Sequence, residues 1–187
     1  MQARAKVLGH PVHQMLIPIP LGLFVTAAIL DIVASIAGWT TLSVVSFWNL
    51  VIGIGAALVA AVFGLIDWTA IPKGTRAKRV GAVHGVGNVL MVGLFFVAVL
   101  LRMNEPGWAV TGGALAIEIV ALALGGVSGW LGGELVDRHG IGVHPDAHPD
   151  ASSSLRALRH ARKKTGGRRV EERPLPPSGA PTPAPAR

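Results

Sequence analysis

Long apolar blocks, interrupted at only a few places by short polar ones, fill most of the chain up to about residue 131. They run near 16–37, 47–68, 84–101 and 109–131. Each approaches the roughly 20 apolar residues that a helix needs to cross about 30 Å of hydrocarbon. No Asp, Glu, Lys or Arg occurs between Asp31 and Asp67, a run too long for one span. The polar break Gly38-Trp39-Thr40-Thr41-Leu42-Ser43 turns it into a hairpin. The alternative of a cleaved signal ending at Ser35-Ile36-Ala37 is disfavoured, because the apolar stretch is too long and starts too late. The pattern predicts an all-α integral membrane four-helix bundle over residues 1–143.

Lys and Arg placement orients the bundle. Arg4 and Lys6 precede the first span, Lys73, Arg76, Lys78 and Arg79 follow the second, and Arg138 follows the fourth. The other two connections hold only Arg102, offset by Glu105. Both termini are therefore expected on the cytoplasmic side. Trp39, Trp48 and Trp108 then fall at outer span ends, and Trp68 and Trp130 at inner ends, as interfacial belts require.

Composition agrees with a bilayer as solvent. The 187 residues are 51% apolar and 14% charged, with a mean hydropathy of +0.53, whereas a soluble domain carries about 25% charged residues. Of the net charge of +7, most belongs to the tail, since more than half of the 17 Lys and Arg lie in residues 144–187. That Pro-, Ala-, Ser- and Arg-rich tail reads as disordered. Residues 152–164 within it read as a short basic helix suited to anionic lipid. Nucleic acid binding has no motif support. Zero Cys excludes disulfides and thiolate-held metal or iron–sulfur centres.

Polar groups near spans carry the candidate chemistry, because they are costly there. His10 and His13 precede span one, His84 opens span three with Asn88 one turn deeper, and His139 follows Glu134 and Asp137 beyond span four. The expected topology gathers all four histidines at the cytoplasmic interface. Imidazoles converging from separate helices suit a haem or a divalent metal. Gly125, Gly129 and Gly133 on span four, and Gly81 and Gly85 beside His84, permit close helix packing or a porphyrin against the backbone. Asp31, Asp67 and Glu118 form a second set. Asp31 and Glu118 read either as neutral carboxyls hydrogen-bonded to Thr26 or Asn49, or as a proton path. No nucleophile elbow, phosphate loop or zincin motif occurs. The repeat His144-Pro145-Asp146-Ala147-His148-Pro149-Asp150 reads as adventitious metal binding at most.

Several motifs carry a family resemblance. Gly9-His10-Pro11-Val12-His13, Ile17-Pro18-Ile19-Pro20-Leu21-Gly22, Gly64-Leu65-Ile66-Asp67-Trp68, His84 with Asn88, and Ser128-Gly129-Trp130-Leu131-Gly132-Gly133-Glu134-Leu135-Val136 before Arg138-His139-Gly140 resemble the bacterial membrane family catalogued as domain of unknown function 2231. The resemblance covers about residues 8–143. Gln14 stands where the family often has Pro, and Asp137 where it often has Tyr. What it implies is a four-helix membrane protein without an assigned activity, some of whose relatives are joined to Rieske-type iron–sulfur domains.

Three functions follow as expectations. The first is a b-type haem or metal protein of the bacterial inner membrane, passing electrons between a quinol and an iron–sulfur partner. His84 and His139 are its leading ligands, His13 the alternate, and His10 a propionate contact or replacement. Glu134, Asp137 or a loop carbonyl would support His139, and Asp67 would support His84. The second is a small transporter or proton conduit using Asp31 and Glu118. The third is a structural subunit whose tail binds lipid or a partner. A redox carrier or non-enzymatic role is favoured over a hydrolase or transferase.

Overall fold

The computed structural model describes residues 1–156. A two-residue antiparallel ribbon, β1 (Lys6–Val7) with β2 (His10–Pro11), leads into the short helix α1 (Val12–Leu16). Four long helices follow: α2 (Pro18–Ala37), α3 (Thr40–Ala70), α4 (Arg76–Arg102) and α5 (Gly112–Asp137). All four are long and apolar enough to cross a membrane, counting α1 and α2 as one span. At most 28% of the most apolar stretch of any span is buried inside the protein, so lipid must cover the rest.

Local sequence explains the helix ends. Pro18 opens α2, where its missing N–H costs nothing. Gly38, at φ +70°, closes it in the left-handed cap that glycine adopts without strain. Thr75 and Thr111 cap α4 and α5, their hydroxyls accepting from the Lys78 and Ala114 amides at 3.1 Å. The expected polar break at 38–43 shrinks to Gly38-Trp39, and α3 resumes at Thr40. Thr40–Ser43 are helical because Ser43 and Ser46 face inward, where a buried cation binds them. The other spans likewise extend beyond the apolar blocks.

The helices pack as two close hairpins, α2 with α3 and α4 with α5, joined less extensively through α3 and α4. Three layers follow along the bundle. The middle one is the hydrophobic core, in which Phe24 stacks on Phe95 with ring centroids 4.1 Å apart. Gly53 admits the Phe24 ring, since a Cβ there would lie 2.8 Å from Phe24 Cε1. One end carries the N-terminal segment, the α3–α4 connection and the end of α5. The other carries the α2–α3 turn and a 3-10 turn, Pro106–Trp108.

The tail is described only as far as residue 156. Residues 144–151 form two successive turns, with Ala147 N and Ala151 N donating to the His144 and His148 carbonyls at 3.0 Å. Residues 152–156 belong to a separate unit. The disordered-tail expectation for 157–187, and the basic helix beyond residue 156, lie outside the described residues.

Candidate functional site

His13 stands on α1, where Nδ1 lies 2.8 Å from the Ala60 carbonyl of α3. A carbonyl only accepts, so Nδ1 carries the proton and Nε2 keeps the lone pair. Gly64, one turn along α3 from Ala60, makes room for the ring. A Cβ there would sit 2.8 Å from His13 Cε1.

His84 on α4 repeats this geometry. Its Nδ1 lies 2.8 Å from the Ser128 carbonyl of α5, and Gly132, one turn further on, faces the ring. A Cβ at Gly132 would lie 3.0 Å from His84 Cε1. Here too the proton sits on Nδ1 and the lone pair on Nε2. The Ser128 hydroxyl donates to the His84 carbonyl at 3.1 Å, and the Asn88 amide reaches Nε2 at 3.1 Å.

Both imidazoles line one cavity of about 820 Å³, within the roughly 300–1,000 Å³ of small-molecule and cofactor sites. Its walls are largely apolar. Gly85, Gly129 and Gly133 line it with open space in front of them, which leaves flat backbone surfaces. Phe24 and Met91 form its floor toward the core.

The N-terminal segment borders the cavity. Asp67 Oδ1 accepts from the Arg4 and Ala5 amides at 2.6 and 2.9 Å, and buried Ala3 lines the cavity. Gln14 Nε2 donates to the Ile141 carbonyl at 3.4 Å. Gly142, at φ +83°, lies so close to Gln14 that any side chain there would collide with the amide.

The structure brings only some of the expected ligands together. His84 shares its cavity with His13, and His139 does not line it. Helix α5 ends at Asp137, and the reversal closed by Ile141 N to the Leu135 carbonyl at 2.9 Å puts His139 on a turn. Its Nε2 is buried without a hydrogen-bond partner among the described residues. His10 sits exposed in β2, away from the cavity. The acceptor for His84 is the Ser128 carbonyl, and Asp67, expected in that role, is engaged with the N-terminal amides. Neither Glu134 nor Asp137 supports a cavity histidine; Asp137 lies 3.8 Å from Arg138 on the exterior. Among the described residues no group of three or more His, Cys, Asp or Glu could hold a metal ion.

A second polar cluster lies at the far end. Arg102, the last residue of α4, is fully buried. Its Nη1 and Nη2 donate to Asp31 Oδ2 and Oδ1 at 2.6 and 3.1 Å, and Nη1 donates to Glu118 Oε1 at 3.2 Å. Nη2 donates to the Ser43 carbonyl at 2.8 Å and Nε to the Trp108 carbonyl at 3.0 Å. The Ser46 hydroxyl donates to Asp31 Oδ2. Arg102 thus joins all four long helices. Asp31 is paired with Arg102 and Ser46, so the expected bonding of neutral carboxyls to Thr26 or Asn49 is corrected. The missing signal was available, because two carboxylates inside spans demand a cation and Arg102 borders one.

No curated protein and no solved structure matches this chain. A family model described as predicted membrane protein, DUF2231, matches residues 9–145, which include both cavity histidines, the Arg102 cluster and all four long helices. By this match and by its four apolar helices, the chain belongs to the DUF2231 family of membrane proteins.

Proposed function

We propose that this protein is a membrane electron carrier that holds one b-type haem between His13 and His84. One observation carries the reading: two histidines from different helices, each donating Nδ1–H to a neighbouring helix's carbonyl at 2.8 Å, line the same apolar cavity. Such a bond to the remote nitrogen orients a ligating histidine and raises its basicity. A haem held by His13 and His84 would supply one-electron transfer.

The chain's own residues fit that group. The Ala60 and Ser128 carbonyls hold both rings in the tautomer that ligates through Nε2. Gly85, Gly129 and Gly133 leave flat walls, and Phe24 and Met91 keep the floor apolar. The segment pinned by Asp67 adds buried Ala3 to the cavity wall. Asn88 occupies the His84 lone pair and must turn aside when that nitrogen ligates.

The loop charges support an orientation with both termini cytoplasmic, and on this reading the carrier sits in the inner membrane, drawing electrons from a quinol and passing them to an iron–sulfur partner. The proton-conduit reading of Asp31 and Glu118 is weaker, since Arg102 binds both and the Phe24–Phe95 stack separates them from the cavity. The test is to express the chain with ample haem, purify it in detergent and assay haem as its pyridine complex. One haem per chain, with a low-spin reduced spectrum, is expected. A colourless protein overturns the proposal.

A further inference from the structure

The two histidine sites match position for position along the chain. Asp31 and Arg102 are separated by 71 residues. The same interval relates His13 to His84 and Gly22-Leu23-Phe24 to Gly93-Leu94-Phe95. It also carries five of the six buried α2 positions, Pro20, Phe24, Ala27, Ala28 and Asp31, onto Met91, Phe95, Ala98, Val99 and Arg102, every one buried. A second constant interval carries Ala60 and Gly64 onto Ser128 and Gly132. By that interval five of the seven buried α3 positions, Ser46, Leu50, Gly53, Ala60 and Asp67, become buried Ala114, Glu118, Ala121, Ser128 and Leu135.

Contacts across the bundle obey the same relation. Around a twofold axis, a residue on the axis meets its own counterpart. Phe24 stacks on Phe95 with an interplanar angle of 9°, and Asp31 meets Arg102 at 2.6 Å. The spacing from His13 to Phe24, and from His84 to Phe95, is about three helical turns, so each histidine shares a helix face with an axial residue. Helices α2 and α4 run in the same sense, as in parallel membrane repeats about an axis along the bundle.

We infer that the bundle is two equivalent helical hairpins fused in tandem, and that the cavity's ligand lies on their pseudo-twofold axis. Its class is a flat group with two equivalent faces, taking one imidazole Nε2 from each half. This inference rests on the haem reading above and adds that the two ligands are interchangeable. A ligand with a single polar head, such as a carboxylate or phosphate ester, would leave the second histidine unused. The halves differ around the rings, where Ile17 and Ala60 stand at the positions of Asn88 and Ser128. Those differences support the His84 ring without adding a ligand.

The test uses the full chain in detergent as wild type, His13→Ala and His84→Ala, each with haem and with added imidazole. Both variants are expected to lose the low-spin spectrum and to bind haem more weakly by factors that agree within about threefold, half a decade or 0.7 kcal/mol. Imidazole is expected to restore the low-spin spectrum in both. A variant that keeps the wild-type spectrum while the other loses it overturns the interchangeable, axial ligand and leaves haem binding standing. Absence of haem from the wild type overturns both.

Discussion

Asp31 and Arg102 meet at 2.6 Å with neither side chain exposed, and they do so from different helical hairpins. Breaking one partner of a buried ion pair strands the other, at about 3–5 kcal/mol, whereas replacing all partners by apolar residues is often neutral. Arg102→Leu is therefore expected to lower stability by that amount, read from the unfolding midpoint in detergent. Combining it with Asp31→Leu and Glu118→Leu should recover most of the loss. A single Arg102→Leu variant as stable as wild type would contradict a structural role for this cluster.

The two glycines opposite the histidines give a prediction about shape. A Cβ at Gly64 would lie 2.8 Å from the His13 ring, and one at Gly132 would lie 3.0 Å from His84. Gly64→Val and Gly132→Val are expected to displace the rings and weaken cofactor binding about 10–100-fold, the usual cost of disturbing a ligand's supports. Haem titration followed by absorbance checks this. Unchanged affinity in both variants would show that the rings do not ligate.

The four spans were legible because a bilayer tolerates only long apolar helices, and that pattern survives without any knowledge of contacts. That His13 and not His139 lines the cavity with His84 was not, because His139 and His13 lie at the same expected depth and depth alone does not choose between them. The choice is made by Gly64 and the Ala60 carbonyl, and backbone acceptors leave no trace in the sequence. Arg102 was misplaced for another reason: counted as a loop charge, it matched Glu105 arithmetically. The tandem repeat was visible in Val12-His13 against Val83-His84 and in two Gly-Leu-Phe triplets, but apolar-to-charged exchanges such as Leu50 against Glu118 and Asp67 against Leu135 hide it from hydropathy.

Asp67 supplies a prediction about closure. Its carboxylate holds the Arg4 and Ala5 amides over the cavity. Asp67→Ala is expected to speed amide hydrogen exchange in residues 3–7 at least tenfold while leaving the centres of α3 and α4 protected. Equal exchange in both proteins would mean that other contacts hold the segment down.

The basic connections give a prediction about orientation. Reporter fusions after Arg79 and after Met103 should report the cytoplasmic and external sides respectively. An external signal after Arg79 would reverse the bundle and place the histidine cavity toward the outer face.

The most direct measurement is the reduced-minus-oxidised absorption spectrum of haem-supplied protein, comparing wild type with His13→Ala, His84→Ala, His139→Ala and His10→Ala. A low-spin haem signal is expected in wild type, His139→Ala and His10→Ala, and its loss in His13→Ala and His84→Ala. No signal in wild type, or its loss in His139→Ala with retention in His13→Ala, would contradict ligation by the two histidines of the cavity.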